Sequence, residues 1–177
     1  MRSQIRAEID GIQPLDALER LHIANTLAWI DSGAPLFRIQ KPDIPPKHLI
    51  SYFLLVDDDY VLLVDHINAE LWLPTGGHVD PEEHPRTTVA REAFEELGID
   101  AVFKQKPPIF LTETETVGKT AGHIDVSIWY VLRGSRNQEL VYDNTEFTSV
   151  YWFHREDVPL ERSDQHMERL LSKLYPD

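Results

Sequence analysis

Three glutamates near the middle of the chain, Glu92, Glu95 and Glu96, are spaced so that they fall on one side of a helix. Side chains three and four positions apart are neighbours on a helix surface, where each pair of like charges costs roughly 0.2 to 0.5 kcal/mol. The stretch ends in Leu97-Gly98, a helix stop, so the acids also crowd the negative end of the helix dipole. Hard divalent cations such as Mg²⁺ bind carboxylate oxygens and would cancel this repulsion.

The residues before these acids have the chemistry to brace such a metal site. Arg91 can form a two-point ion pair with Glu83, because a planar guanidinium matches a carboxylate in shape. Gly76-Gly77 lets the backbone approach closely, and Pro85 suits the first position of a helix. A solvated acidic helix face is the alternative interpretation of the same glutamates.

The whole stretch GGHVDPEEHPRTTVAREAFEELGI, residues 76–99, resembles the Nudix box of the Nudix hydrolases at every defined position. The matching positions are Gly77, Glu83, Arg91, Glu92, Ala93, Glu95, Glu96, Gly98 and Ile99. The resemblance is MutT-like and covers about residues 49–175. It implies an α/β fold of the Nudix type, an α/β/α sandwich with a mixed sheet. It also implies metal-assisted attack of water on the pyrophosphate of a nucleoside diphosphate linked to another group.

The resemblance further implies roles for residues of the box. The implied metal ligands for Mg²⁺, with Mn²⁺ as an alternative ion, are the Gly77 carbonyl and the carboxylates of Glu92, Glu95 and Glu96. By the same resemblance, the ion pair of Arg91 with Glu83 braces the loop against the helix. All five charged residues are therefore assigned to the catalytic set.

Further candidate site residues lie outside the acidic helix. Glu146 is the candidate general base, because it precedes the strand of Trp152 much as an acid does in nucleotide-cleaning relatives. An exposed loop acid is the alternative. The candidate substrate contacts are His66, Trp72, His78 and His123. Ordinary hydrogen bonding would also explain the histidines, and core or rim packing would also explain tryptophans on strands.

Sequence marks of several Nudix subfamilies are absent. The chain has no array like SQPWPxPxS of the NADH hydrolases, no coenzyme A signature, and no cysteine such as isopentenyl diphosphate isomerases use. Thr114 and Glu115 stand where ADP-ribose hydrolases would have a proline or dinucleoside polyphosphate hydrolases a tyrosine. Thr75 replaces a proline of many relatives, which changes the expected loop shape but not the metal site.

The complete box favours a metal-dependent pyrophosphohydrolase of a small nucleotide. We expect a nucleoside triphosphate or its oxidised deoxy form first, and a nucleoside diphosphate sugar such as ADP-ribose second. A non-catalytic module that binds or senses a nucleotide is the alternative from a different class.

The bulk composition restricts the partners further. The 177 residues carry a net charge of −13, which repels long nucleic acids. No apolar run approaches the length of a membrane span, and the first ten residues lack the apolar core of a signal peptide. Without cysteine there are no disulfides, so we expect a cytoplasmic protein that does not act at membranes.

The pattern along the chain predicts an N-terminal helical extension with a proline-rich connector, residues 1–48, followed by a Nudix domain, residues 49–177. The extension contains a predicted helix at 14–32, which we expect to pack against the domain or against a partner subunit in a homodimer. Its connector is 41–48. Predicted strand regions are 49–56, 60–66, 71–79, 123–132 and 149–153, and the region 101–116 is predicted to be a strand, a loop and a second strand. Predicted helices are 85–97 and 163–175. On the helix 85–97, we expect Ala90, Phe94 and Leu97 to pack against the sheet.

Overall fold

The structure is a computed structural model that describes residues 1–40, 44–116 and 122–176. Its helices are α1 (Arg2–Asp10), α2 (Ala17–Asp31), α3 (Pro85–Leu97) and α4 (Met167–Leu174), with a 3-10 turn at Leu160–Arg162. Its strands are β1 (Lys47–Asp57), β2 (Tyr60–His66), β3 (Leu71–Leu73), β4 (Thr75–His78), β5 (Phe110–Glu115), β6 (Ile124–Arg133) and β7 (Phe147–His154). Among the described residues, no helix is long and apolar enough to cross a membrane.

The strands form one mixed sheet in the order β3-β2-β1-β6-β5, with β4 paired to β1 and β7 paired to β2. The pair β1 and β6 is parallel over ten residues, from Lys47 opposite Ile124 to Val56 opposite Arg133, and the other pairs are antiparallel. Both central strands are almost continuously buried, which is typical of a strand covered on both faces.

The core lies on both faces of this sheet. Alternate residues of β1 face opposite ways, so that Phe53 packs in a cluster with α3 residues, while Leu54 packs in a cluster with α4 residues. The first cluster also contains Ile5 and Ile9 of α1, so the N-terminal helices share the core of the sheet. This arrangement confirms the predicted α/β/α sandwich with an N-terminal helical extension.

Helix α3 has the predicted bounds, but it presents a different face to the core. Pro85 is its first residue, and Gly98 ends it in the left-handed region at φ 67°. The prediction for the packed face was wrong for Ala90 and Phe94, because both are exposed, Phe94 to 66%. Leu97 is buried as predicted, and Val89 and Ala93 are buried in place of Ala90 and Phe94.

The face that α3 presents to the sheet also determines where its acids lie. Small side chains at positions 89 and 93 let the helix approach the sheet closely, and Glu96 is buried next to β4. An amphipathic pattern alone favoured the larger Phe94 and therefore selected the wrong stripe.

The N-terminal region differs from its prediction in two ways. Helix α2 begins only at Ala17, because Asp16 caps it by accepting a hydrogen bond from the Glu19 N–H at 2.7 Å. The helix α1 was not predicted, and its Arg6 binds Asp31 at the end of α2 at 2.8 Å. Helix α2 does pack against the domain, since its His22 Nδ1 accepts the backbone N–H of Glu113 in β5 at 3.3 Å.

Three other predicted segments have different bounds in the structure. Helix α4 starts at Met167 rather than at 163, because Ser163 bonds the Trp72 carbonyl at 2.6 Å instead of continuing a helix. In the region 101–116, only Phe110–Glu115 is a strand, and Phe103 forms an isolated bridge with Leu132. Residues 41–43 of the predicted connector lie outside the described residues, and the last two of its residues begin β1.

Candidate active site

A cavity of about 530 Å³ opens between β4, the acidic face of α3 and the segment before β7. Cavities of roughly 300 to 1,000 Å³ are typical of small-molecule sites. Its lining residues are Arg38, Ile50, Tyr52, His66, Gly76, Gly77, His78, Asp80, Arg91, Glu92, Glu95, Glu96, Asp143 and Glu146. Most of the predicted site residues are therefore brought together here.

The two glycines of β4 allow this strand to lie directly against α3 at Gly77 and directly against β1 at Gly76. A Cβ at Gly77 would overlap the Glu92 carboxylate, and a Cβ at Gly76 would overlap the Ser51 carbonyl. Gly76 also has φ 150°, and its N–H donates to Glu96 Oε2 at 3.1 Å. Gly77 is thus required for the close approach of backbone to a carboxylate that the sequence predicted, and Gly76 is required for the close approach of β4 to β1.

Arg91 forms the predicted two-point contact with Glu83. Its Nε lies 3.3 Å from Glu83 Oε1 and its Nη2 lies 3.1 Å from Glu83 Oε2. Burial alone would raise the pKa of Glu83, but the hydrogen bonds from Arg91 and Thr88 lower that pKa overall. Because Arg91 Nη1 also binds Glu92 at 2.7 Å and Glu95 at 3.2 Å, one guanidinium orients three acids.

Glu96 and Glu92 are carboxylates in an unfavourable environment. Glu96 is only 8% exposed, and burial followed by the charge of Glu92 raises its pKa to about 9. Burial also raises the pKa of Glu92, although Arg91 partly opposes this shift. Hard divalent cations prefer carboxylate and carbonyl oxygens, so Gly77 and these acids fit Mg²⁺ or Mn²⁺.

Glu146 lies in the segment before β7 and lines the same cavity. Its backbone is fixed to the end of β2, because its carbonyl accepts the Ile67 N–H at 2.9 Å. Its charge contributes to the raised pKa values of Glu92 and Glu96. The candidate base is therefore close enough to the box acids for electrostatic coupling.

The four predicted substrate contacts divide into two pairs. His66 and His78 line the cavity, and His66 Nδ1 accepts the Asn68 N–H at 3.2 Å. Trp72 and His123 are not among its lining residues. The Trp72 ring packs edge-on against Phe153 at 5.0 Å, so aromatic packing accounts for this tryptophan.

Several residues near the cavity were missed by reasoning from the sequence. Arg38 reaches the cavity from the N-terminal extension, which lies outside the Nudix resemblance. Burial, then the charges of Arg38 and His48, lower the pKa of His78 to about 3. His48 lies opposite Asp125 in the parallel pair of β1 and β6, and no local motif in the sequence indicates this long-range pairing.

Comparison with known proteins finds relatives of similar sequence. The chain is 25% identical over 137 residues to a "MutT-like protein" of Streptomyces ambofaciens, covering 76% of this chain and 82% of that protein. It is 32% identical over 98 residues to the "CTP pyrophosphohydrolase" of Escherichia coli K12, covering 52% of this chain and 69% of that protein.

Solved structures are similar in fold at lower sequence identity. A MutT NUDIX hydrolase from Burkholderia pseudomallei has a TM-score of 0.61 at 22% identity, covering 73% of this chain and 98% of that chain. The NUDIX domain of Shewanella oneidensis NrtR, in complex with ADP ribose, has a TM-score of 0.55 at 20% identity, covering 71% of this chain and 84% of that chain.

The family model of the NUDIX domain matches residues 46–174, which include the sheet, the acidic helix and every lining residue of the cavity except Arg38. The matched region is most of the chain and contains the complete box. The chain therefore belongs to the NUDIX family of hydrolases.

Proposed function

We propose that this chain is a Mg²⁺-dependent pyrophosphohydrolase of a small nucleotide, with a nucleoside triphosphate as the favoured substrate. The charge of the cavity carries this proposal. Among the described residues that line it, six have carboxylates and two have guanidinium groups, one of which is bound to Glu83. A polyphosphate would be repelled by these acids unless divalent cations screened it.

The proposed ligands of the cation are the Gly77 carbonyl and the carboxylates of Glu92, Glu95 and Glu96. When bound, Mg²⁺ would neutralise phosphate charge and help to generate the nucleophile from water. The role of Arg91 is to hold Glu83, Glu92 and Glu95 in place, because its guanidinium contacts all three.

We assign proton abstraction from the attacking water to Glu146, since it lines the cavity on an element other than α3. His66 and His78 are the proposed contacts to the substrate, and Ile50 and Tyr52 form the less polar wall. We place no substrate contact on Trp72 or His123, because neither is among the lining residues.

Two observations support a small nucleoside triphosphate. The relative with 32% identity is named a CTP pyrophosphohydrolase, and the net charge of −13 disfavours long polyanions. The likeness to the NrtR domain concerns the fold alone, so it does not raise ADP-ribose above second place. We also propose the cytoplasm as the compartment, because nucleotide substrates and Mg²⁺ are available there.

We further propose that residues 1–48 extend a Nudix domain of residues 49–177 and mediate a homodimer through α2. Leu18 and Leu21 are exposed, Leu21 to 54%, on the helix that covers β5. Exposed leucines on one helix favour a protein contact. Light scattering should give a dimer for the wild type and a monomer for Leu18→Glu/Leu21→Glu, whereas a wild-type monomer would refute the dimer.

One substrate panel tests the proposed activity. Ordinary and oxidised nucleoside triphosphates, ADP-ribose, nucleotide sugars and dinucleoside polyphosphates are incubated with Mg²⁺ or Mn²⁺, with Glu95→Gln as the matched inactive control. We expect metal-dependent release of pyrophosphate from a triphosphate. A preference for ADP-ribose or nucleotide sugars, detected as phosphate after phosphatase treatment, would overturn the substrate ranking. No turnover across the panel, with nucleotide binding retained, would indicate a binding module.

A further inference from the structure

A second cluster of metal-ligating side chains lies at the edge of the cavity, apart from the box glutamates. It contains His48 of β1, His78 of β4 and Asp125 of β6, and one ligand atom from each lies within 4.8 Å of the others. The sheet produces this cluster, because β1 pairs with β6 on one side and with β4 on the other. His123 lies beside this cluster, with its ring stacked on His48 at 5.1 Å between centroids.

The hydrogen bonds of His48 leave a nitrogen lone pair directed into the cluster. His48 is fully buried, and its Nδ1 lies 2.9 Å from the Pro45 carbonyl, which can only accept. In the neutral ring, Nδ1 therefore carries the proton and Nε2 carries the lone pair. His48 Nε2 lies 3.3 Å from Asp125 Oδ1, but their alignment does not make a hydrogen bond.

His123 has the same arrangement of protons. The Thr116 hydroxyl donates to the His123 carbonyl at 3.1 Å, and in the Nδ1–H tautomer His123 would donate to Thr116 Oγ1, also at 3.1 Å. His123 Nε2 then presents its lone pair to Asp125 Oδ1 at 3.3 Å. Two imidazole lone pairs and a carboxylate oxygen therefore converge.

Three atoms of this cluster are buried without a hydrogen-bond partner in the part of the chain that the structure describes. They are His48 Nε2, His78 Nε2 and Asp125 Oδ1. A buried polar atom without a partner costs about 1 to 3 kcal/mol, so three adjacent ones indicate a missing occupant. All three atoms can act as acceptors, so a bound cation or a proton donor would satisfy them.

We propose that His48, His78 and Asp125 bind one transition-metal ion of the Zn²⁺ class. Imidazole nitrogens with one carboxylate suit Zn²⁺, Co²⁺ or Ni²⁺, whereas Mg²⁺ prefers oxygen ligands alone. The Nδ1–H of His48, which donates to a backbone carbonyl, is the usual outer contact of a metal-binding histidine. This site is thus chemically distinct from the carboxylate site on α3.

The position of the cluster gives the ion a structural consequence. It would join β1, β4 and β6, and His78 directly follows Gly77 in β4. An ion bound there would therefore fix the strand that carries the Gly77 carbonyl. The proposal does not depend on which nucleotide the enzyme hydrolyses, or on whether it hydrolyses one.

Cobalt provides a direct spectroscopic test. The full chain is stripped of metal with a chelator and titrated with Co²⁺ in excess Mg²⁺, which occupies oxygen-only sites. We expect one Co²⁺ per chain, with the visible absorption of nitrogen-coordinated cobalt, and displacement by Zn²⁺. Loss of a residue that only orients a metal ligand weakens metal binding by about 10- to 100-fold. Asp125→Asn and His78→Gln each remove a ligand itself, so each should weaken Co²⁺ binding by more than this.

Two matched controls separate this site from others. His154→Gln removes a histidine of β7 outside the cluster, and Glu95→Gln removes a box acid, so both should bind Co²⁺ like the wild type. Circular dichroism checks that each variant is folded, and partly exposed His78 provides a variant if Asp125→Asn fails to fold. The proposal would be overturned if the wild type showed no Co²⁺ absorption, or if folded His78→Gln bound Co²⁺ as the wild type does. The cluster would then be a group of side chains that share protons and bind no metal.

Discussion

Two buried glutamates, Glu19 in α2 and Glu96 in α3, have opposite surroundings. Glu19 is completely buried, and its carboxylate accepts hydrogen bonds from the Leu15 N–H at 2.6 Å and the Leu111 N–H at 3.3 Å. It also forms an ion pair with the Lys173 ammonium at 2.6 Å. The charge of Glu19 is therefore compensated by the fold itself, and it ties α2 to both β5 and α4.

Glu96 is nearly as buried but has far less compensation. Within the described residues, the one hydrogen bond that its carboxylate accepts comes from the Gly76 N–H. Burial, followed by the charges of Glu92 and Glu146, raises its pKa. A buried charge without a partner is strongly unfavourable. The contrast indicates that Glu19 serves stability, whereas Glu96 is positioned for a cation that the chain alone does not supply.

The largest effect on folding is expected for Glu19→Gln. This change leaves the largely buried Lys173 ammonium without its counter-charge, and breaking such a pair costs about 3 to 5 kcal/mol. Urea denaturation should show that loss in the free energy of unfolding. The double variant Glu19→Gln/Lys173→Met should recover part of it, and a single variant within about 1 kcal/mol of the wild type would contradict a structural role.

Glu96→Gln should lower activity without lowering stability, in contrast to Glu19→Gln. We expect kcat to fall about 100- to 1,000-fold, because charge stabilisation in the transition state is lost. Glu95→Gln should behave similarly. Without metal, the unfolding free energy of Glu96→Gln should equal or exceed that of the wild type, since a repelled carboxylate is removed. Glu139→Gln, a change of an exposed acid outside the cavity, serves as the control. Undiminished turnover in Glu95→Gln/Glu96→Gln would exclude the assigned metal site.

Arg91→Lys tests the group that organises the acids. An ammonium cannot reproduce the two-point contact with Glu83, so we expect a loss of about 1 to 2 kcal/mol in stability together with lower kcat. Thermal unfolding and steady-state kinetics measure the two effects. Wild-type values for both would show that the planar contact is unimportant.

A smaller effect should appear in the pH dependence of stability. Because the pKa of Glu96 is raised to about 9 in the folded protein from an ordinary value of 4.5, folding favours its protonated form. This contribution is fully present below the ordinary pKa and is lost as the pH rises through the folded pKa. We therefore expect the difference in melting temperature, wild type minus Glu96→Gln, to decrease from about pH 5 to about pH 8 when a chelator is present. A constant difference would contradict the raised pKa.

Local signals in the sequence were sufficient for part of the structure. Pro85 and Gly98 define α3, and the contact between Arg91 and Glu83 follows from matching chemistry at a fixed spacing. These features depend on neighbours within one short segment, so a single sequence contains the information. The mixed sheet likewise follows from strong apolar runs and the family resemblance.

Features that depend on distant pairing were not accessible in this way. Asp125 meets His48 only through the parallel register of β6 with β1, and Arg38 reaches the cavity from outside the family resemblance. Phe94 was assigned to the core because hydrophobicity outweighs size in a periodic pattern, whereas close packing selected Ala93. Roles that depend on the packing of two elements therefore required the structure.

The difference between Glu19 and Glu96 is tested most directly by the effect of Mg²⁺ on the melting temperature. A ligand that binds only the folded state stabilises it according to its concentration and affinity. Mg²⁺ should raise the melting temperature of the wild type and of Glu19→Gln by similar amounts, but should not raise that of Glu96→Gln. An unchanged wild type, or an equal rise in Glu96→Gln, would contradict the conclusion that the carboxylates of α3 are held for a divalent cation.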